Sequence, residues 1–454
     1  MKNRIARIGL GMIGVGMLVA LSGCIAGLDG KVGDKGDKGD AGDKGDTGDK
    51  GDTGDQGDVG PTKPTRLLDD RIDGWTQPNR DRLNKLLTDK GVTSPTFDAK
   101  NRPVAVFDWD NTVLKNDIGD ATFFWMLRHD KILQPTNKDW GLSSAALTTA
   151  GKAALNAACD GLAAAGQPLP TSTNTACADA IYYAYDQLTT PPSAGSQPAW
   201  TAEKTLTIDN PYAWAGQVQQ GYTPEEIAGF ALAAFYEGAT APIGTTQTVG
   251  SVSGLNGYVR IYDQIADLIA AMDANGFDVW VVTASPEWVV GAISKFAGVS
   301  PLHVVGIRYL LANGKQTIDM QGCGLVADGA NTIITFDEGK RCFINKSIFH
   351  EPPASQLATN PVLAKRPTFV AGDSDTDIAM LKDATDLKLV INRNKVQTMC
   401  NALSNYQGKW IYNPMFIAPK AKKTTPYACS TAKDAAGKVI VNEAGQPMTD
   451  QTEP

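Results

Sequence analysis

Two acidic residues follow a short apolar run, in the segment Asp108 to Thr112 (DWDNT). The run before them, residues 104–107, is typical of a buried parallel strand, which delivers site residues at its carboxyl end. Carboxylates at positions i and i+2 can divide the work of group transfer. One attacks an electrophile such as phosphorus, and the other manages the protons of the leaving group and the water. An acidic turn without chemistry is the alternative for this motif alone.

A second acidic cluster, Gly372 to Asp377 (GDSDTD), follows another apolar run. Glycine permits a tight turn, and Asp373 and Asp377 are spaced so that they can converge on one ion. Clustered carboxylates repel one another unless a cation lies between them, and all-oxygen ligands select a hard dication such as Mg²⁺. The motif predicts a magnesium site, with a solvated acidic turn as the alternative.

A threonine and a lysine offer groups that hold an anion. Thr283 ends an apolar run that begins at Val279, and the start of a following helix would bind an anion well. Lys340 lies near the start of a predicted helix, where its charge opposes the helix dipole, and such local violations are often functional. Lys346 is the second candidate. Either lysine alone is also compatible with an ordinary surface charge.

These side chains require a parallel sheet to bring them together. Apolar runs typical of buried strands lie at residues 104–107, 279–282, 304–307, 368–371 and 387–391. Helical patterns separate several of them, including 261–272 and 378–382. This alternation predicts an α/β, doubly wound, Rossmann-like core with its ligand beyond the carboxyl ends of the strands.

A long insert follows the first strand. Residues 115–257 are rich in alanine and aromatic side chains, and their helical patterns near 120–133, 176–188 and 224–236 predict a mostly helical cap. Asn313-Gly314 stands between two apolar runs and predicts a β-hairpin. Another short helix is expected at 79–87.

In their order along the chain, these motifs resemble the haloacid dehalogenase (HAD) superfamily. Asp108 to Thr112 is similar to its first motif, Thr283 to its second, Lys340 to its third, and Gly372 to Asp377 to its fourth. The resemblance covers residues 101–114 and 258–400 and implies a HAD-type phosphatase, a phosphoric monoester hydrolase. An acid at Asp110 favours phosphoester hydrolysis, because the dehalogenases and ATP-driven pumps of the superfamily lack it.

The resemblance also implies roles for the individual side chains. Asp108 is the nucleophile that forms an aspartyl-phosphate, and Asp110 is the general acid and base. Thr283 and Lys340 bind the phosphoryl oxygens of the substrate. Charge that develops on the transferring group is met by cations already in place.

A bound Mg²⁺ is implied by the same resemblance. Its ligands are Asp108, the backbone carbonyl of Asp110, and Asp373, with Asp377 in support. The dication would stabilise charge on the phosphoryl group.

The insert between the first and second motifs resembles the phosphoserine phosphatase-like branch of the superfamily. Within that branch, segments 279–285 and 305–307, together with a predicted export signal at residues 1–23, are most similar to bacterial phosphorylcholine phosphatases. We therefore expect a phosphomonoesterase that acts outside the cytoplasm on a small phosphoester. Phosphocholine is the candidate substrate. A broad-specificity lipoprotein acid phosphatase, and a surface stalk protein with an inactive HAD core, are the alternatives. Intact Asp108, Asp110, Lys340 and Asp373 argue against the last.

Ten aromatic side chains of the predicted cap are material for a cage around a quaternary ammonium group. Asp117 and Asp120 would add charge complementarity, whereas Gly119 stands where related enzymes offer another acid. Helix packing is the ordinary alternative for each aromatic residue. The ten are Phe123, Phe124, Trp125, Trp140, Tyr182, Tyr183, Tyr185, Trp200, Tyr212 and Trp214.

The N-terminus has the layout of a secretory signal. Three basic side chains in the first seven residues precede an apolar run at 8–21, too short for a membrane span. Leu21 to Cys24 (LSGC) resembles the bacterial lipobox, in which the cysteine is lipidated and becomes the mature N-terminus, and a simple cleaved signal is the alternative. We expect a lipid-anchored protein of the cell envelope, periplasmic or surface-facing. Ile25 after the cysteine slightly favours the outer membrane.

From Gly27 to Gly60 a glycine recurs at every third position, which gives twelve Gly-X-Y triplets. Only glycine fits the axis of a collagen triple helix, so the period predicts a collagen-like stalk that associates as a homotrimer. Proline is nearly absent, and pairing between chains at the Lys-Gly-Asp steps would supply the stabilisation. Those steps begin at Lys35, Lys38, Lys44 and Lys50. A flexible Gly/Asp/Lys spacer is the alternative.

Six further cysteines are candidates for disulfides if the protein is exported, because an oxidising compartment permits these bonds. Six cysteines allow 15 connectivities. Their three sequence-local couples favour the pairs Cys159–Cys177, Cys323–Cys342 and Cys400–Cys429. Free buried thiols are the alternative.

Composition limits the possible partners. A net charge of −7 provides no basic patch for polyanions, so we expect a small phosphorylated substrate and no nucleic acid. The 454 residues, 42% of them hydrophobic, allow one large domain or two coupled ones. The predicted division is a signal peptide at 1–23, a lipid-anchored stalk at 24–62, an N-terminal helical segment at 63–100, a HAD core at 101–114 and 258–425, a helical cap at 115–257, and a polar C-terminal tail at 426–454.

Overall fold

The computed structural model describes residues 64–454. The predicted signal peptide, Cys24 and the collagen-like repeat lie outside the described residues. Within 64–454 the strands are β1 (Val104–Phe107), β2 (Leu114–Lys115), β3 (Thr246–Val249), β4 (Val252–Asn256), β5 (Arg260–Ile261), β6 (Asp278–Pro286), β7 (Val304–Ile307), β8 (Tyr309–Ala312), β9 (Lys315–Met320), β10 (Phe369–Gly372), β11 (Leu387–Asn392) and β12 (Trp410–Pro414). The helices of the same part are α1 (Gln77–Lys90), α2 (Ile118–Arg128), α3 (Thr149–Cys159), α4 (Thr175–Tyr182), α5 (Asn210–Gln217), α6 (Pro224–Thr240), α7 (Asp263–Ala274), α8 (Glu287–Ile293), α9 (Glu338–Ser347), α10 (Ile378–Asp383) and α11 (Val396–Ser404).

A six-stranded parallel sheet in the order β12-β11-β10-β1-β6-β7 forms the core. Alternate residues of β1 belong to two hydrophobic clusters, one on each face of the sheet. Phe107 packs with Phe369 in one cluster, and Val106 packs with Val370 in the other. Strands that are covered on both faces consist of continuous apolar runs. For this reason the sequence predicts these strands. The α/β class with a parallel sheet agrees with the prediction.

Two parts of the sheet differ from the prediction. β6 runs on to Pro286, beyond the expected end at Val282. The edge strand β12 was not predicted, and α1 lies along it, with Asn79 Nδ2 donating to the carbonyl of Tyr412 at 2.7 Å. This side-chain bond occupies a backbone carbonyl that an edge strand leaves unpaired.

The segment expected as a cap holds α2 to α6 and has a hydrophobic cluster of its own. It also contains the hairpin β3–β4, which the helical reading missed. The predicted hairpin at Asn313-Gly314 joins β8 to β9, and both turn residues have positive φ, 53° and 75°.

The C-terminal segment is polar in composition, yet it contributes to the core. Tyr427, Cys429, Ile440 and Met448 are buried in the cluster on one face of the sheet. The structure joins the six cysteines in the three predicted pairs, and Cys429 is bonded to Cys400 of α11. The segment is therefore packed rather than peripheral.

None of the helices within residues 64–454 is long and apolar enough to cross a bilayer.

Candidate active site

Four adjacent strands deliver side chains to one edge of the sheet. β1 ends before Asp108, β6 carries Ser285 near its end, β10 ends before Asp373, and β11 ends one residue before Arg393. Because these strands are parallel, their carboxyl ends lie side by side.

Asp108 is buried, and both oxygens of its carboxylate accept hydrogen bonds. Oδ1 accepts from Lys340 Nζ at 2.6 Å, and Oδ2 accepts from Thr112 Oγ1 at 2.9 Å. The backbone N–H of Asp108 donates to the carbonyl of Ala371 at 2.9 Å, which ties the end of β1 to β10. The carboxylate is thus held in one orientation, as a nucleophile or a metal ligand requires.

Asp373 and Asp377 lie beside Asp108. One carboxylate oxygen from each of the three lies within 4.8 Å of the others. Asp377 Oδ2 accepts from the backbone N–H groups of Asp373 and Ser374, both at 3.0 Å. A Cβ at Gly372 would lie 2.7 Å from the Cβ of Asp377, so the close turn requires glycine. The GDSDTD turn therefore brings its two predicted ligands together.

Two cations face the three acids. Lys340 Nζ contacts Asp377 Oδ1 at 2.6 Å as well as Asp108, and Arg393 Nη1 contacts Asp373 Oδ2 at 2.6 Å. Burial opposes the charge of Lys340, but the two carboxylates raise its pKa above the usual value for lysine. Lys340 therefore remains charged although it is fully buried.

Burial dominates the electrostatics of the acids. It raises the pKa of Asp108 to about 6, against the charge of Lys340. It also raises the pKa values of Asp373 and Asp377 above the ordinary value. The three buried carboxylates offer only oxygen ligands. Two cations face them, which leaves the cluster with one unbalanced negative charge when all three acids are ionised. This arrangement fits a hard dication such as Mg²⁺.

The carboxylate of Asp110 has different partners. Oδ1 accepts from the backbone N–H of Ile118 and Oδ2 from Ser285 Oγ, both at 2.7 Å. Burial raises its pKa well above the ordinary value, and the charges of Asp117 and Asp108 act in the same direction. A carboxyl in such surroundings retains its proton more readily, as a general acid must.

Thr283 is fully buried and lines the cavity at the strand ends. Its carbonyl accepts from Thr335 Oγ1 at 2.5 Å, and its hydroxyl oxygen accepts from the N–H of Ser285 at 3.1 Å. The expectation that it stands at a helix start is wrong, because β6 continues past it and α8 begins at Glu287.

The structure separates the two candidate lysines. Lys340, in the first turn of α9, reaches the carboxylates. Lys346 Nζ instead donates to the carbonyl of Gly322 at 2.6 Å.

A cavity of about 280 Å³ opens at the strand ends. Besides the residues already described, its wall has an acidic and aromatic part, formed by Asp117, Asp209 and Tyr212. A basic part faces the same space and is formed by Lys204, Arg393 and Lys395. The volume suits a small ligand with a phosphate group.

A narrow recess adjoins the cavity and is lined by Asp117, Tyr185, Tyr212 and Gln219. The hydroxyl of Tyr185 donates to Asp120 Oδ1 at 2.5 Å. The eight other aromatic residues considered for a cage line neither space and pack in or against the cap cluster, as helix packing predicts. They are Phe123, Phe124, Trp125, Trp140, Tyr182, Tyr183, Trp200 and Trp214.

Sequence reasoning missed Lys204, Asp209 and Lys395 of the cavity wall, which no motif marks, and it also missed Arg393 and Ser285. Arg393 follows the run at 387–391 by two positions, so the rule that located Asp108 also applied to it. Ser285 lies two residues after Thr283, and it was overlooked because the strand was expected to end earlier.

No protein-family model and no curated protein matches the chain. Among solved structures, a conserved protein of unknown function from Anaerococcus prevotii DSM 20548 is 20% identical over 76% of this chain and 94% of that chain, with a TM-score of 0.54. The chain shares this fold. A protein of unknown function from Bordetella pertussis Tohama I is 16% identical over 69% of this chain and 98% of that chain, with a TM-score of 0.40. A substrate-bound phosphoserine phosphatase is 12% identical over 64% of this chain and 85% of that chain, with a TM-score of 0.30. The two lower scores carry no weight for the activity.

Proposed function

We propose that the chain is a Mg²⁺-dependent phosphomonoesterase of the HAD type. One observation carries the proposal: Asp108, at the end of a central parallel strand, is bonded to the buried Lys340 and lies within 4.8 Å of Asp373 and Asp377. Together with Thr283, these residues follow the order of the four motifs identified in the sequence.

The reaction proceeds in two displacements. Asp108 attacks phosphorus, an aspartyl-phosphate forms, and the bond from phosphorus to the alcohol oxygen breaks while Asp110 gives that oxygen a proton. Asp110 then accepts a proton from water, whose oxygen attacks phosphorus and frees Asp108 and inorganic phosphate. Lys340 and Thr283 hold the phosphoryl oxygens throughout.

The carboxylates of Asp108, Asp373 and Asp377 would hold the metal, together with the backbone carbonyl of Asp110. When bound, Mg²⁺ supplies positive charge to the transferring phosphoryl group. Arg393 keeps Asp373 in place by its bond to Oδ2.

Phosphocholine is the proposed substrate within this class. Support comes from the acidic and aromatic part of the wall, where Asp117 and Tyr212 would face a cationic alcohol. The basic part of the wall favours the second candidate, a broad-specificity acid phosphatase, because it would accept varied anionic esters. Comparing kcat/KM for phosphocholine, phosphoserine and p-nitrophenyl phosphate decides between them, and a preference for phosphoserine or no preference would end the phosphocholine proposal.

The activity itself is tested with Asp108→Asn. The carboxamide is a poor nucleophile, so we expect turnover to fall about a thousandfold or more, while folding is kept because one buried negative charge is removed. Wild-type turnover of p-nitrophenyl phosphate should require Mg²⁺ and disappear with chelator. Full activity in excess chelator would contradict the metal assignment.

We also propose that a lipid on Cys24 anchors the protein in the cell envelope. Cys24→Ala should then move the protein from the membrane fraction to the soluble fraction after cell lysis. An unchanged distribution would contradict the anchor.

A further inference from the structure

We propose that Ser285 is a positioning residue that orients the carboxyl of Asp110 toward the leaving group, and that Gly119 is required to leave room for it. The inference rests on the proposed function. It concerns the end of β6 and the first turn of α2, which meet beside the cavity.

Asp110 is held from two sides. The N–H of Ile118 fixes Oδ1 and the hydroxyl of Ser285 fixes Oδ2, both at 2.7 Å. The backbone donor belongs to α2, whereas the hydroxyl belongs to β6, so the carboxyl is fastened between two elements. Two short bonds to different oxygens leave little freedom to rotate, which is what an acid aimed at one atom needs.

Ser285 has little room to move. Its side chain lies against Gly119, where a Cβ would stand 2.8 Å from Ser285 Oγ and 3.0 Å from Asp117 Oδ1. Any larger residue at position 119 therefore pushes the hydroxyl away from Asp110. The close approach therefore favours glycine at this position, the second residue of α2.

The role predicts a dependence on the leaving group. An alkyl alcohol leaves poorly unless it is protonated, whereas p-nitrophenolate is a stable anion and needs little help. The quantity to measure is kcat/KM, because it reports the first phosphoryl transfer and excludes the later hydrolysis of the aspartyl-phosphate.

Ser285→Ala should lower kcat/KM for an alkyl ester, glycerol phosphate or phosphocholine, by roughly tenfold to a hundredfold, a part of the usual contribution of general acid catalysis. For p-nitrophenyl phosphate the change should stay below about threefold. The matched control is Ser294→Ala, which removes another buried serine hydroxyl, one that donates within its own helical segment at 3.4 Å and does not line the cavity. Ser294→Ala should leave kcat/KM unchanged for both the alkyl ester and p-nitrophenyl phosphate.

Gly119→Ala supplies an independent test that keeps the hydroxyl. As a single substitution, Gly119→Ala should lower kcat/KM for the alkyl ester and spare p-nitrophenyl phosphate, as Ser285→Ala does. In the Ser285→Ala background it should add little to the loss on glycerol phosphate, because the clash with Oγ is gone and only the 3.0 Å approach to Asp117 Oδ1 remains. Equal losses on both esters, or additive effects in the double variant, would overturn the proposal. A wild-type protein that hydrolyses neither ester would instead refute the phosphatase assignment.

Discussion

Lys340 carries its charge in a fully buried position because two carboxylates face it. Replacing a whole buried ion pair by apolar groups costs little, but removing one partner leaves the others unpaired and costs about 3–5 kcal/mol. The lysine therefore stabilises the two carboxylates that it contacts, and it is also the group proposed to meet the phosphoryl oxygens.

Lys340→Met is therefore expected to lower the free energy of unfolding by about 3–5 kcal/mol in metal-free buffer and turnover by about a hundredfold or more. Lys346→Met, the control, loses a bond to the Gly322 carbonyl and the contact of its ammonium with the Phe343 ring at 5.7 Å, and it should cost about 1–2 kcal/mol with little change in turnover. Urea unfolding and turnover of p-nitrophenyl phosphate measure both. Similar effects of the two substitutions would contradict the assignment of Lys340.

At the scale of the element, α9 begins in an unusual way. Asp337 precedes it with φ 47° and ψ −112°, and its side chain does not cap the helix. Burial raises the pKa of Asp337 to about 7, and the charge of Glu338 adds to the effect while Arg341 opposes it. Its backbone N–H donates to the carbonyl of Thr376 at 2.9 Å, which links the start of α9 to the GDSDTD turn.

This pKa fixes the sign of a pH dependence. Because the folded value lies above the ordinary 3.8, the group contributes stability that is fully present below about pH 4 and lost as the pH rises to about 7. Asp337→Asn cannot ionise and has nearly the same shape. Its free energy of unfolding should therefore increase relative to that of the wild type as the pH rises, by on the order of 2–4 kcal/mol at pH 8. Unfolding in metal-free buffer at pH 5 and pH 8 checks it. Exposed Asp273→Asn is the control, and a gap between variant and wild type that narrows with rising pH would refute the sign.

The elements that the sequence predicts best are those buried on both faces. β1, β7 and β10 are entirely buried and read as continuous apolar runs. β12 has no such run, because it is only partly buried and ends in Asn413 and Pro414. The site divides in the same way: acids at strand ends were predictable, whereas the bond from Ser285 to Asp110 joins residues 175 apart in sequence and depends on how far β6 extends.

At the scale of the whole molecule, the C-terminal residues support the site through the turn after β11. Asn394 Oδ1 accepts from the hydroxyl of Tyr427 at 2.8 Å, and its Nδ2 donates to the carbonyl of Ala421 at 2.9 Å. This turn adjoins Arg393, and the disulfide between Cys400 and Cys429 ties the same region together. A polar composition did not reveal this packing, because few apolar residues suffice to anchor a segment that is also cross-linked.

The Gly-X-Y repeat, which precedes the described residues, bears on the state of assembly. Strict glycine at every third position is needed only where three chains share an axis. With almost no proline, stabilisation would have to come from the charges. In a triple helix the four Lys-Gly-Asp steps would place a lysine beside an aspartate of a neighbouring chain. Exposed pairs of this kind are weakened by salt.

We predict that the full chain forms a homotrimer through Gly27 to Gly60, while a chain that begins at Thr62 is a monomer. Sedimentation of both measures the masses, and the trimer should dissociate more readily in about 1 M salt, where the Debye length falls to about 3 Å. Gly45→Ala is the control within the repeat, because a single such substitution disrupts a triple helix locally, and it should weaken the trimer without altering turnover. If both the long and the short chain sediment as monomers, the repeat is a flexible spacer.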